Sequence, residues 1–275
     1  MLFWHFLNAY LHKVANLVKY ICYTKPKRQV LKMRDWQKET EQRVEWIKNI
    51  VSESHAKGII FGNSGGKDSA LVGILCKMAC PNTLGVIMPC QSNRNYTIDK
   101  VDGENLAQKF GIECDVVDVT PIKQAMMSVL PDVEMPLALA NMNPRIRMTV
   151  LYAIAQQKGY LVAGTGNRSE ITMGYFTKWG DGGCDFNPIA DLTCTEALDY
   201  LRWLGAPSEI TEKAPSAGLW DDQTDEQEMG ITYADLDRYI MTGEGDEKTK
   251  QKVDGTRART HHKRSMPQWY GNIKY

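Results

Sequence analysis

The stretch GIIFGNSGGKDSALVG, residues 58–73, decides how the rest of the chain is read. Gly58 to Phe61 form a short apolar run that suits a buried strand, and the residues from Ser69 onward open a longer apolar run that suits a helix. The turn between them is built to hold phosphate. Glycines let the backbone turn tightly and let its amides approach an anion. The N-terminus of the following helix adds further amides and a partial positive charge. A Walker A loop is excluded, because Gly66-Lys67 is followed by Asp68 and no glycine stands five residues before Gly66. The G-x-G-x-x-G fingerprint of dinucleotide folds is also missing. Asp68 would repel a bare phosphate. It suits a site where a divalent cation lies between carboxylate and phosphate oxygens.

Working outward, apolar strands alternate with helical patterns. WQKETEQRVEWIKNIVSESH spaces Val44, Ile47, Ile50 and Val51 as a helix face. LGVIMP, CDVVDV and YLVAG read as three further strands. TIDKVDGENLAQKF reads as a helix with Ile98, Val101, Leu106 and Phe110 inward, and NPRIRMTVLYAIAQQKG as a helix with Pro144 in its first turn. The expected fold class is α/β, a parallel twisted sheet flanked by helices on both faces. Ligands in such sheets bind beyond the carboxyl ends of the strands, where GNSGGKDS, MPCQSN, DVTPIK and GTGNRSE fall. Past residue 175, KWGDGGCDFNPIAD reads as a loop and TEALDYLRWLGAP as a helix ended by Gly205 and Pro207. Thr224 and Gln227 stand at capping-box spacing, and the acidic residues from Asp221 to Glu228 read as a solvated helix start.

The chain has 275 residues, 24% of them charged, with a formal net charge of +0. A neutral balance argues neither for nor against a polyanionic partner, and the short basic tail RARTHHKR lacks the interleaved aromatics of a nucleic-acid surface. No uninterrupted apolar run is long enough to span a membrane. Seven cysteines with no C-x-x-C pair read as reduced, mostly buried thiols of a cytoplasmic protein. Residues 1–32 carry no acid and read as a basic N-terminal extension, or a packing helix, ahead of a single domain over 33–275.

The S-G-G-x-D-S pattern, in its strand-then-helix context, resembles the pyrophosphate loop of the N-type ATP pyrophosphatases. Further segments narrow the resemblance: GVIMPC, NPRIRM, GTGNRSE with GYFTKWGDGG after it, KAPSAGLW, QTDEQEMGITYADLD and HHKR. Their order and spacing resemble the ammonia-dependent NAD synthetases. The resemblance implies a Rossmann-like three-layer fold of adenine nucleotide alpha hydrolase-like type. It implies amidation of deamido-NAD by ammonia through an acyl adenylate, with ATP as co-substrate, Mg²⁺ as cofactor, and AMP and pyrophosphate as products. It also implies a homodimer. Residue by residue, it assigns ATP contacts to Gly62, Asn63, Ser64, Gly65, Gly66, Lys67, Asp68, Ser69, Thr165 and Ser216. It assigns deamido-NAD contacts to Arg145, Lys178, Asp185, His262 and Lys263, and Mg²⁺ to Asp68 and Glu170. Read without the family, Glu170 follows a strand on the same rim as Asp68, which agrees with the metal role; the alternative is a helix-capping or surface carboxylate.

In DLTCTEAL the chain departs from the family, which usually has a phosphate-binding lysine where Cys194 stands. A thiol cannot replace that charge; compensation by another cation such as Lys213, a slow enzyme, or an altered residue are the open explanations. Two alternatives stay beside the main reading: another adenylating enzyme of the same superfamily, and a nucleotide-binding homologue impaired in catalysis.

Overall fold

The computed structural model describes residues 34–91, 95–130, 132–213, 224–268 and 270–271. The extension expected over 1–32 and the expected ATP contact Ser216 lie outside the described residues. Helix α1 (Trp36–Glu53) starts behind Asp35, whose carboxylate caps the amide of Lys38 at 3.2 Å. Then follow β1 (Gly58–Gly62), α2 (Lys67–Ala79) and β2 (Thr83–Ile87). A π-helical turn, Asn95–Asp99, leads into α3 (Lys100–Phe110), which is followed by β3 (Glu113–Val116) and α4 (Thr120–Val129). Next come α5 (Pro136–Lys158), β4 (Tyr160–Ala163) and the short α6 (Arg168–Met173). The C-terminal part is helical: α7 (Cys194–Trp203), α8 (Ser208–Thr211), α9 (Asp225–Met229), α10 (Tyr233–Thr242) and α11 (Glu247–Arg259).

The four strands are parallel and stand in the order β3-β2-β1-β4. Side chains alternate across the central strand. Ile59 and Phe61 point into one core with Ile47 of α1, Leu71 and Leu75 of α2, and Leu201 of α7. Ile60 points the other way, with Leu84, Val86 and Val162, onto Met142, Ile146 and Leu151 of α5. The two-faced parallel sheet read from the near-continuous apolar strands is therefore the observed one. A third apolar cluster joins Met173, Cys194, Met229, Tyr233, Leu236 and Val253. Arg43 ties α1 to the segment before α7: its guanidinium grips both oxygens of Asp191, at 2.6 and 2.7 Å, and donates to the Pro188 carbonyl at 2.6 Å.

Several local expectations are corrected. Helix α5 begins at Pro136, so Pro144 lies inside it rather than in its first turn. Leu106 is buried as expected, but Ile98 and Val101 are 54% and 47% exposed because the π-helical turn shifts the phase ahead of α3. Thr224 precedes α9 but makes no side-chain capping bond. Capping boxes form instead at Asn167 with Glu170 and at Thr193 with Glu196. Among the described residues no helix is long and apolar enough to cross a membrane.

Candidate active site

The chain leaves β1 toward β2 on one side and returns through β4 on the other. The sheet's topological switch point is thus the gap between the C-terminal ends of β1 and β4. A cleft of about 890 Å³ opens there. The phosphate-type loop forms one wall. Gly65 adopts φ +68°, and a Cβ at that position would stand 2.2 Å from the Asp99 carbonyl oxygen, so only glycine fits. Gly66 is the N-cap of α2 and has no side chain to satisfy the first-turn amides. Those amides are available to an anion. The Ser64 and Ser69 hydroxyls lie 3.0 Å apart, and Ser69 also donates to the Gly66 carbonyl at 3.0 Å, which stiffens the turn.

Charged groups gather at the foot of this wall. The ammonium of Lys67, a residue only 8% exposed, donates to Asp68 Oδ2 at 2.7 Å and lies 5.7 Å from the centre of the Tyr233 ring. Asp68 Oδ1 accepts the side-chain amide of Asn167 at 3.3 Å. Asn167 Oδ1 in turn caps the amide of Glu170 at 3.0 Å, while Glu170 Oε2 accepts the amide of Asn167 at 3.0 Å. Glu170 is thus a helix-capping residue and a cleft-lining carboxylate at once. Burial and the nearby charge of Asp68 push its carboxyl well above the usual range. Asp225, 3% exposed, also lines the cleft and accepts the Tyr233 hydroxyl at 2.9 Å.

Most of the residues singled out from the sequence converge here. Gly62, Asn63, Ser64, Gly66, Lys67, Asp68, Ser69, Thr165, Glu170, Lys178 and Lys263 all line the cleft. Asn63 does so from within the fold: it is 2% exposed, and its amide donates to the Gly103 carbonyl at 2.9 Å, anchoring the loop to α3. Gly65 packs against Asp99 behind the wall. Arg145 is exposed on α5, with its Nε 3.4 Å from the Lys178 carbonyl oxygen. Asp185 is tied to the sheet, accepting the Val162 amide at 2.7 Å and the Tyr152 hydroxyl at 3.0 Å. His262 is exposed, and its carbonyl accepts Lys178 Nζ at 2.7 Å. Lys263 Nζ donates to the Gly174 and Phe176 carbonyls at 2.8 and 2.7 Å, and Arg264 to the Ile171 and Thr172 carbonyls at 3.1 and 3.3 Å. The basic tail is therefore docked on the C-terminal end of α6, where cations suit the helix dipole.

Cys194 is 3% exposed and packs in the third apolar cluster. Burial raises its thiol far above the ordinary value, so it is a neutral, small apolar side chain. Its backbone is pinned by its amide, which donates to Ser169 Oγ at 3.0 Å. Ser169 bonds Asp237, whose other oxygen accepts the Thr195 amide and hydroxyl, each at 2.8 Å. Lys213 is committed to Asp99 and Asp102, at 2.7 and 2.8 Å. Lys67 is close enough to Cys194 for its ammonium to oppose, without overcoming, the burial that keeps the thiol neutral.

Three polar residues of the site were not singled out from the sequence, Arg147 and Asp225 in the cleft lining and Asn167 buried behind it. Arg147 donates to the Met88 carbonyl at 3.0 Å and lines the cleft two residues from Arg145. Asn167 stands three residues before Glu170, a capping-box spacing that could have marked it. Asp225 sat in an acidic run that read as solvated, and nothing in its spacing separates it from its neighbours. The structure corrects that reading, because Asp225 is buried against Tyr233.

Uncapped helix amides at the end of one strand, with a cleft carboxylate at the end of the next, and the likeness to solved NAD synthetases place the protein among nucleotide-binding α/β enzymes of adenine nucleotide alpha hydrolase-like fold. Solved structures share the architecture. The NMN synthetase of Francisella tularensis superposes with a TM-score of 0.83 at 33% identity, over 87% of this chain and 100% of that one. The NH3-dependent NAD synthetase of Campylobacter jejuni gives 0.73 at 30% identity, over 86% of this chain and 100% of that one. The chain belongs to the NAD synthase family, whose model matches residues 39–267. The NH(3)-dependent NAD(+) synthetase of Carboxydothermus hydrogenoformans is 46% identical over 239 residues, covering 85% of this chain and 97% of that protein.

Proposed function

We propose that the protein is a C–N bond-forming ligase that amidates deamido-NAD to NAD with ammonia and ATP. The observation that supports it best is the pairing of the amide-rich turn before α2 with Asp68 and Glu170 across the switch point, in a chain of this family. A carboxylate is a poor electrophile. Its oxygen attacks the α-phosphorus of ATP, the bond to the β-phosphate breaks, and pyrophosphate leaves with an acyl adenylate behind. Ammonia then adds to the activated carbonyl, AMP departs with the bonding electron pair, and one proton is released.

The protein's part is positioning and charge neutralisation. The turn from Gly62 to Ser69 holds the departing pyrophosphate through its amides, with Thr165 on the facing strand end. Ser216 is assigned to the nucleotide by the family resemblance alone. Lys178 and Lys263 supply cations, and Arg145 and His262 lie against Lys178, so this end of the cleft takes the dinucleotide; Asp185 is assigned to it by the family resemblance alone. Asp68 and Glu170 would hold Mg²⁺. No cluster of three or more His, Cys, Asp or Glu side chains able to cage a metal occurs among the described residues. Mg²⁺ needs no such cage, since it takes one or two carboxylates and completes its shell with phosphate oxygens and water. When bound, it neutralises phosphate charge. The raised Glu170 carboxyl fits this, because a cation relieves the repulsion between it and Asp68.

The likeness to an NMN synthetase favours a second acceptor, the mononucleotide acid that would yield NMN. The deciding assay offers ATP, Mg²⁺ and ammonium with either acceptor. NAD, AMP and pyrophosphate are the expected products. ADP would exclude the adenylate, and faster turnover of the mononucleotide would move the assignment to that acceptor.

We further propose a cytoplasmic homodimer with a single domain over 33–275 and a separate extension over 1–32. The family resemblance carries the dimer, and Val129, Met135 and Leu137, 73%, 66% and 52% exposed around the α4–α5 junction, supply an apolar face for it.

A further inference from the structure

Both oxygens of Asp68 are engaged by the protein's own donors, Oδ1 by the neutral amide of Asn167 and Oδ2 by the ammonium of Lys67. A divalent cation arriving on Asp68 meets these two groups differently. The amide is uncharged and tolerates it. An ammonium at hydrogen-bond distance from the same carboxylate repels it and must move. Lys67 can move without disturbing the loop, because its charge sits at the end of a flexible four-carbon stem. Its other neighbours hold it weakly once a cation is in place: the Tyr233 face is a weak partner, Cys194 is a neutral thiol, and the nearby Glu170 carboxyl would turn to the same cation. Phosphate oxygens arriving at the Gly66–Asp68 turn give it a new partner.

Building on the proposed ATP- and Mg²⁺-dependent function, we propose that Lys67 is a resident counter-cation that keeps Asp68 closed to divalent metal until the nucleotide arrives, and then transfers to the triphosphate. Metal and nucleotide binding are thereby coupled through one side chain. The metal alone competes with an ammonium already in place, whereas metal with ATP finds that ammonium drawn off. Lys67 acts here as a positioning residue, and the coupling is separate from its expected contact with the nucleotide.

The test measures Mn²⁺, as a spin probe for the Mg²⁺ position, binding to the full-length protein without nucleotide. The wild type is compared with Lys67→Met, Lys67→Gln, Lys67→Arg and Asp68→Asn. Removing the ammonium should tighten nucleotide-free Mn²⁺ binding by about tenfold, the size of a typical coupling between sites. The same neutral variants should show a smaller gain in Mn²⁺ affinity on adding a non-hydrolysable ATP analogue. Arginine at 67, which keeps the charge, should stay close to wild type. Mere structural damage would loosen Mn²⁺ binding, so tightening is the diagnostic direction. Unchanged or weaker Mn²⁺ binding in both neutral variants, with Asp68→Asn weakened, would overturn the Lys67 proposal and leave the metal assignment standing. Mn²⁺ binding indifferent to Asp68→Asn would remove the metal assignment and this proposal together.

Discussion

Asn167 reaches Asp68 across 99 residues of sequence, its side-chain amide 3.3 Å from Oδ1, while the same side chain caps the helix that carries Glu170. One fully buried residue therefore sets the spacing of the two carboxylates. Asn167→Ala should cost about 1 kcal/mol through the lost cap. It should lower kcat/KM by more than that loss explains, because Asp68 also loses a donor. Denaturant unfolding beside steady-state kinetics checks this, and wild-type kinetics in a measurably destabilised protein would count against the positioning role.

Asp68→Asn should abolish turnover, and the structure adds a stability cost. The Lys67–Asp68 pair is largely buried, with side chains 7% and 15% exposed. Breaking a buried pair strands the remaining charge, at a cost on the order of 3 kcal/mol. Lys67→Met combined with Asp68→Asn should recover most of that stability while staying inactive. A double variant as unstable as the single one would show that the pair is not what matters.

Cys194→Lys tests the charge missing from the family pattern. Position 194 is buried in an apolar cluster beside the Lys67 ammonium, so a second ammonium there meets repulsion and desolvation. The single variant should melt several degrees lower, consistent with a buried unpaired charge. Adding Lys67→Met should restore part of the loss. A single variant as stable as wild type and more active would instead identify the lost lysine as limiting.

Asp191 governs an acid-sensitive clamp. Burial works to raise its carboxyl, but the hydrogen bonds and charge of Arg43, with Arg34 beyond, outweigh this and hold it below the ordinary value. Its contribution to stability is therefore present above the unfolded aspartate value, about 3.9, and lost as pH falls through the depressed folded value. Arg43→Met should lower stability at neutral pH and flatten its decline below about pH 4. Circular dichroism across an acid titration reads both effects; an unchanged acid limb would exclude the clamp.

Met135→Asp, on the exposed apolar face and outside the cleft lining, should turn a dimer into a monomer in light-scattering chromatography. A wild-type protein that is itself monomeric would remove the dimer proposal.

The sheet was legible because buried parallel strands are apolar on both faces, and Ile59, Ile60 and Phe61 each found a core. The loop was legible because Gly65 and Gly66 have few other uses in that setting. What escaped had no local signature. The exposure of Ile98 and Val101 follows from a π-helical turn that shifts the phase by less than a residue pattern reveals. Asp225 is set apart from its acidic neighbours by a hydroxyl eight residues on, a contact that only the folded chain makes. The surroundings of Lys67 depend on three segments that meet after folding.

Because β1 and β4 are paired directly, Ile60 against Val162 and Phe61 against Ala163, the turn bearing Asp68 and the helix bearing Glu170 hang from adjoining rungs of one ladder. The reacting end of the cleft thus shares the sheet's rigidity. The outer walls carry exposed side chains of α5, such as Arg145, and of the C-terminal tail, which can be rewritten without shifting those rungs, while the buried face of α5 stays packed on them. A lineage using this scaffold is free to exchange one acceptor for another while the chemistry stays put.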